Sequence, residues 1–157
     1  MISKSKINYQ ITMFIVMVLV GILFNPMNAL AYRVGDLYFS LTLFYGGLLM
    51  ASNMVWAHEI VHYLTMGHFN KYIFFIGVFL SIFVTTVFLR NQLFVNEKQW
   101  LKRMIGHHST AITTTKKLLE NRDNDFKMSP QLFRLAKNII NTQEVEISQM
   151  KMMTKDI

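Results

Sequence analysis

Apolar positions along this chain come in two arrangements. Before residue 95 they form continuous runs, Ile11 to Phe24, Leu37 to Trp56 and Tyr72 to Leu89; after it they recur at helical spacing between polar residues. A bilayer core requires roughly 20 apolar residues in a helix. The first arrangement therefore predicts transmembrane helices over about 11–31, 37–63 and 72–90. The second predicts two amphipathic helices, one from Glu97 to about Leu119 and one capped by Ser129, opened by Pro130 and running nearly to Ile157. A polar stretch from Asn121 to Met128 links them. The expected organisation is an all-α membrane protein, with a transmembrane region over 1–94 and a helical hairpin over 95–157.

The first span admits two readings. Pro26 can disturb an uncleaved helix, or the basic start (Lys4, Lys6), apolar middle and Ala29-Leu30-Ala31 can form a signal peptide. Both readings place the next loop outside the cytosol. The second span continues its helical pattern through His58, Glu59, His62 and Tyr63 until Gly67, putting those polar groups at the membrane interface. The third is closed by Arg90-Asn91-Gln92. With a cytosolic N-terminus, Lys4, Lys6 and Lys71 lie inside while Arg33, Arg90, Lys98, Lys102 and Arg103 lie outside. That bias runs against the positive-inside rule, but the first segment usually dominates orientation, which favours an exocytoplasmic hairpin.

Composition supports the membrane reading. Of 157 residues, 52% are hydrophobic and 16% charged, and the mean hydropathy is +0.29, too apolar for an ordinary soluble domain. The net charge of +7 is spread along the chain without a basic run or a nucleic-acid motif, so contact with anionic headgroups accounts for it and nucleic acid is not an expected partner. Cysteine is absent, which excludes disulfides, thiolate zinc sites and cysteine nucleophiles. The 12 methionines and 5 histidines offer thioether and imidazole, ligands that suit copper, although methionine also fills cores.

On the first amphipathic helix, Trp100, Leu101, Met104, His108, Ala111, Thr115, Leu118 and Leu119 fall on one stripe, with His107 at its edge. On the second, Leu132, Leu135, Ala136, Ile139, Gln143, Glu146, Ile147, Met150, Met153 and Ile157 share a face that Gln143 and Glu146 interrupt. Folded together, the histidines of one helix and the polar pair of the other must satisfy each other or hold something between them. Met104, one or both of His107 and His108, and Met150 would provide mixed ligation for copper, with Glu146 as a ligand or as the acceptor orienting an imidazole. From spacing alone the favoured reading is a polar core cluster in which His108 donates to Glu146 or Gln143 and nothing binds.

His58-Glu59-Ile60-Val61-His62 matches the H-E-x-x-H pattern of zinc peptidases, and His68 stands at the third-ligand spacing of its extended form. Thr65 occupies the place of that form's glycine, no region remains for a substrate-binding sheet, and Asp36 is expected at the opposite membrane face. Met50, Met54, His58, His62, Met66 and His68 also make a line of soft and borderline donors, a pattern that membrane helices rich in methionine and ending in histidine produce without any metal.

The segment Met104-Ile105-Gly106-His107-His108-Ser109-Thr110-Ala111-Ile112, followed by Leu135 to Met150, resembles the family catalogued as domain of unknown function 305. That family pairs a Met-x-x-His-His-x-x-Ala-Ile helix with an Ala-x-x-Ile-x-x-x-Gln-x-x-Glu-Ile-x-x-Met helix. The preceding apolar segment ending in Leu89-Arg90-Asn91-Gln92 looks like its membrane-anchored branch. The resemblance implies a ferritin-like helical hairpin and an association with copper through Met104, His107, His108, Gln143, Glu146 and Met150. Gly106 stands where the family often has proline, and His58 to His62 lie in a span that is usually apolar in such relatives. Since a ferritin-like bundle needs four helices, a homodimer closing two hairpins over the membrane is expected. The leading expectation is a non-catalytic, membrane-anchored copper-binding or copper-handling protein with some metal-transfer partner. The competing expectations are a membrane zinc metallopeptidase using His58, Glu59 and His62, and a structural membrane protein without metal.

Overall fold

A computed structural model describes residues 4–121 and 128–156, with the backbone alone at residues 5 and 6. Among these residues every regular element is helical: α1 Lys4–Leu23, α2 Pro26–Ala29, α3 Leu41–Met66, α4 Lys71–Phe83, α5 Glu97–Glu120 and α6 Pro130–Asp156. The chain continues from α4 through π-helical turns over Val84–Arg90, and a short 3-10 turn spans Val34–Asp36. Most of the expected linker between the last two helices, residues 122–127, lies outside the described residues.

The chain divides into two compact units: Met1–Asn25 with Leu41–Val95, and Pro26–Ser40 with Asn96–Ile157. Residues 26–40, expected within the transmembrane region, thus belong with the hairpin. The break that Pro26 imposes on the preceding residues ends α1 at Leu23 and lets the chain leave the first unit there.

In the first unit α3 packs against both α1 and α4. A Cβ on Gly21 would lie 2.8 Å from the Gly47 Cα, and one on Gly77 would lie 2.8 Å from the Trp56 backbone nitrogen. Missing side chains therefore let both neighbours approach α3 backbone to backbone, the small-residue packing that joins helices where water-driven burial is weak. Tyr45, Ala51, Val55, Ile73 and Val84 form the buried interior. At one end the Tyr45 hydroxyl donates to the Leu93 carbonyl at 2.6 Å and Thr42 Oγ1 donates to Gln92 Oε1 at 2.8 Å, tying the turn after α4 to the start of α3.

Among the described residues two helical stretches, Ile7–Ala29 and Lys71–Arg90, are long and apolar enough to cross a membrane. This corrects the expectation of three such spans. The middle helix is 26 residues long, but Ser52, Asn53, His58, Glu59 and His62 lower its apolarity. It also begins at Leu41 rather than Leu37, because residues 37–40 are extended.

In the second unit α5 and α6 form the hairpin and residues 26–40 lie against α5. Asn96 caps α5 by accepting from the Gln99 N–H at 3.0 Å, and the Ser129 hydroxyl accepts from the Leu132 N–H at 3.2 Å at the start of α6. The core contains Leu101, Ile105, Ile112, Ile147 and Met150, with Tyr38 and Met104 packed on it. The buried stripe of α5 is consequently Leu101, Ile105, Ser109 and Ile112, rotated from the expected one, and Trp100 and Leu118 are exposed. The rotation follows from α5 being covered on two sides, by α6 and by residues 26–40, where the periodicity anticipated one. On α6, Ala136, Ile147 and Met150 are buried, whereas Leu132, Leu135 and Met153 stay exposed.

Asp36 holds the third segment in place. Its side chain is 2% exposed; Oδ1 meets Lys151 Nζ at 2.5 Å and Oδ2 accepts from the Ser109 hydroxyl at 2.6 Å. Ser109 Oγ in turn accepts from the Tyr32 N–H at 2.8 Å. Lys116 adds a peripheral tie, donating to the Tyr32 hydroxyl at 2.8 Å and to Glu144 Oε1 at 3.0 Å. Removing one member of a buried ion pair leaves an uncompensated charge, whereas removing both does not. Lys151→Met should therefore destabilise the second unit by about 3 kcal/mol, at the low end for a broken buried pair because Lys151 keeps some solvent. Asp36→Asn combined with Lys151→Met should cost less than Lys151→Met alone. Urea unfolding followed by far-UV circular dichroism measures both, and a larger loss in the double variant would contradict this pairing.

Candidate metal centre

The rotation of α5 decides where its imidazoles point. Ser109 faces Tyr32 and Asp36, so its neighbour His108, about 100° around the helix, turns toward α6. There His108 Nδ1 lies 3.0 Å from Glu146 Oε2, with the imidazole side chain 13% and the carboxylate side chain 43% exposed. The approach is oblique, short of a well-aligned hydrogen bond. A carboxylate oxygen only accepts, so the favoured neutral tautomer carries its proton on Nδ1 and leaves the Nε2 lone pair free.

His108 is held below the usual histidine pKa, chiefly by burial; Glu146 pulls the other way and His107 adds a smaller depression. The ring is thus neutral near pH 7, the form that binds metals. His107 is exposed, with its ring centroid 6.0 Å from that of His108.

Met104 stands one turn before His108 on the same side of α5 and packs on the core cluster that contains Met150. Met150 itself is buried in that cluster. One turn before Glu146 on α6, Gln143 Oε1 is buried without a hydrogen-bond partner among the described residues. Of the six residues singled out by sequence, the fold brings His108 to Glu146 and places Met104 and Met150 in one cluster. His107 is left on the flank, and Gln143 keeps an unsatisfied acceptor.

Among the described residues no three of His, Asp and Glu surround a common point. Chemically, the residues offer imidazole and thioether donors, with the Glu146 carboxylate close enough to His108 to bias its orientation. The residues that sequence reasoning missed are Asp36, Ser109, Tyr32 and Lys151. The available signal was a lone carboxylate between two apolar runs, which needs a cation wherever it is buried.

The second pattern is built differently from the peptidase site it resembles. Glu59 is 1% exposed, and its Oε2 accepts from the Asn70 backbone N–H at 3.1 Å. Asn70 then caps α4 through the Tyr72 and Ile73 N–H groups. The carboxylate that would activate water is committed to the turn between α3 and α4.

The depressed His108 pKa fixes a sign for pH dependence. Between the folded and unfolded values the unfolded chain binds the proton more readily, so stability falls as pH drops through the ordinary histidine value of about 6.5 toward the lower folded one. The metal-free protein should accordingly lose stability over that window, and His108→Gln should remove this part of the loss, with Glu146 and His107 as the titratable neighbours. Urea midpoints measured on both sides of the window test this, and an unchanged slope in His108→Gln would contradict it.

Residues 90–154 match the family described as Domain of unknown function (DUF305). Over 144 residues the chain is 32% identical to "Uncharacterized protein L153" of Acanthamoeba polyphaga mimivirus, an alignment covering 91% of this chain and 90% of that protein. No solved structure matches. The similarity therefore extends through the first unit as well as the hairpin, and with the family signature across α5 and α6 the chain belongs to the DUF305 family.

Proposed function

We propose that this is a multi-pass membrane protein of the anchored branch of its family, presenting a ferritin-like hairpin that binds copper without catalytic turnover. The observation that carries the metal reading is the pairing of half-buried His108 with Glu146, which favours a neutral imidazole with its Nε2 lone pair available, one helical turn after Met104 on α5. Met104, His107, His108 and Met150 form the donor set, Glu146 orients His108, and the unsatisfied Gln143 oxygen accepts from a bound water or a partner chain. Thioether and imidazole without a nearby thiolate or carboxylate cage favour copper, above all the cuprous ion, over calcium or magnesium. The commitment of Glu59 to the α3–α4 turn weighs against the zinc peptidase reading.

The membrane reading rests on exposure and on chain parity. Only 6% and 17% of the apolar windows of Ile7–Ala29 and Lys71–Arg90 are buried within the protein, and that much exposed apolar surface calls for lipid. Residues 26–40, the first four of which close the first of these stretches, follow α1, residues 96–157 follow the second stretch, and both belong to one unit. They must share a side of the membrane, so an even number of crossings separates them. If α4 crosses, α3 crosses too. At 26 residues α3 is about 39 Å long, enough for the bilayer core, and its Ser52 hydroxyl is satisfied by the Leu48 carbonyl at 2.8 Å. The signal-like start favours a shared side outside the cytoplasm, although the Lys and Arg bias runs the other way. Exposed Leu118, Leu132, Leu135 and Met153 supply the apolar surface for a second hairpin, completing a four-helix bundle in a homodimer.

Copper(I) titration of the full-length protein in detergent, against a competing chelator, tests the metal reading. Met104→Ala and His108→Ala should each weaken binding at least tenfold, and Glu146→Gln by about 10–100-fold as an orienting partner, while Glu59→Gln should leave it unchanged. Copper(I) affinity unaffected by His108→Ala would overturn the assignment.

Because the chain has no cysteine, single introduced cysteines report topology cleanly. Val34→Cys and Ser148→Cys should react with an impermeant maleimide from one side of the membrane and Phe69→Cys from the other. Labelling of Val34→Cys and Ser148→Cys from opposite sides would contradict the parity argument.

A further inference from the structure

In the first unit, around the α3–α4 turn, three imidazoles are gathered from two segments. His58 and His62 are one turn apart on α3 with ring centroids 6.2 Å apart, and His68, beyond α3, has its ring 6.3 Å from that of His62. Gly67, with φ of +69°, makes the reversal that brings His68 back.

Two of these rings are already oriented. His62 Nδ1 lies 2.9 Å from the His68 carbonyl oxygen, and His68 Nδ1 lies 2.9 Å from the Met66 carbonyl oxygen. A carbonyl can only accept, so each ring donates from Nδ1 and each Nε2 carries a lone pair. Metal-bound histidines are commonly held in this way, the second nitrogen donating to a carbonyl. His58 has no such tether: its Nδ1 is buried without a hydrogen-bond partner among the described residues, and its ring lies against Tyr9 at 5.7 Å. A buried imidazole nitrogen left unpaired is costly, and coordination of a metal through His58 Nδ1 would relieve that cost.

We propose that His58, His62 and His68 form a second metal site, separate from the hairpin, that takes a borderline divalent transition ion such as Zn²⁺ through three imidazole nitrogens. The rings do not yet surround one point; His62 and His68 keep their carbonyl tethers, and rotation of untethered His58 about its side-chain torsions closes the set. Three neutral nitrogens suit Zn²⁺, Co²⁺, Ni²⁺ or Cu²⁺ and lack the oxygens that Ca²⁺ and Mg²⁺ require. Glu59, the group between the two helical histidines that could serve as a base, is bonded to Asn70 N–H. The site therefore binds an ion and leaves its fourth position to water or an exogenous ligand.

Co²⁺ is the probe, because its visible absorption distinguishes four-coordinate from octahedral sites. Titrated into the full-length protein in detergent, it should give a four-coordinate spectrum saturating at one ion per chain and reversed by Zn²⁺. His68→Ala, at an exposed position, and His62→Ala should each weaken Co²⁺ at least tenfold, while the His107→Ala/His108→Ala double variant leaves it unchanged. Circular dichroism establishes that each variant is folded; if His62→Ala is not, His62→Gln takes its place beside His68→Ala. An octahedral spectrum, no saturable binding, or unchanged affinity in folded His68→Ala would overturn the proposal, as would loss in the double variant. Failure of the hairpin copper site would read out separately, as copper(I) affinity insensitive to His108→Ala.

Discussion

A single buried carboxylate organises the second unit. Asp36 is almost wholly removed from solvent, and a charge in that position is tolerable only with a cation and a hydrogen-bond donor beside it. Lys151 from α6 and Ser109 from α5 supply them, so one side chain joins three segments that are far apart in sequence. The consequence reaches past stability. With Ser109 turned toward Asp36, the rotation of α5 is fixed, and His108 on the adjoining face meets Glu146. The orientation of the candidate ligand follows from the neutralisation of a carboxylate elsewhere in the unit.

The same junction constrains the path of the chain. Residues 26–40 leave the first unit after α1 and residues 96–157 leave it after α4, and one compact unit holds both. The turn between α3 and α4 belongs to the first unit and has its own polar arrangement, with Glu59 on the Asn70 backbone and two imidazoles on carbonyls. Histidine chemistry is thereby split between two bodies. The hairpin pairs an imidazole with a carboxylate, and the turn gathers imidazoles alone.

Much of the helical framework was legible in the sequence, because continuous apolar runs and helical spacing are local signals. The Ser129 cap, Pro130 at the start of α6, the break before Pro26 and the start of α5 at Glu97 all follow from neighbouring residues. The contact of His108 with Glu146 was one of the alternatives that spacing left open. What local pattern could not supply was the third layer of the hairpin unit. Asp36 lies 73 residues from Ser109 and farther still from Lys151, and only tertiary contact joins them. Missing that layer displaced the expected buried stripe of α5 from Met104, His108 and Ala111 to Ile105, Ser109 and Ile112. Likewise, the H-E-x-x-H spacing identified His58 and His62 as neighbours but could not reveal that Glu59 turns inward to hold the next helix.

The copper reading proposed above requires that the nearby Glu146 carboxylate favour the proton of His108 on Nδ1, so that Nε2 is available to a metal. Nitrogen-15 NMR of the histidine side chains in the full-length protein, at pH 7.5 and then with copper(I), tests it most directly. The account predicts a neutral Nδ1–H tautomer for His108 and a copper-induced change centred on its Nε2. An Nε2–H tautomer, or a His108 Nε2 signal indifferent to copper(I), would contradict it.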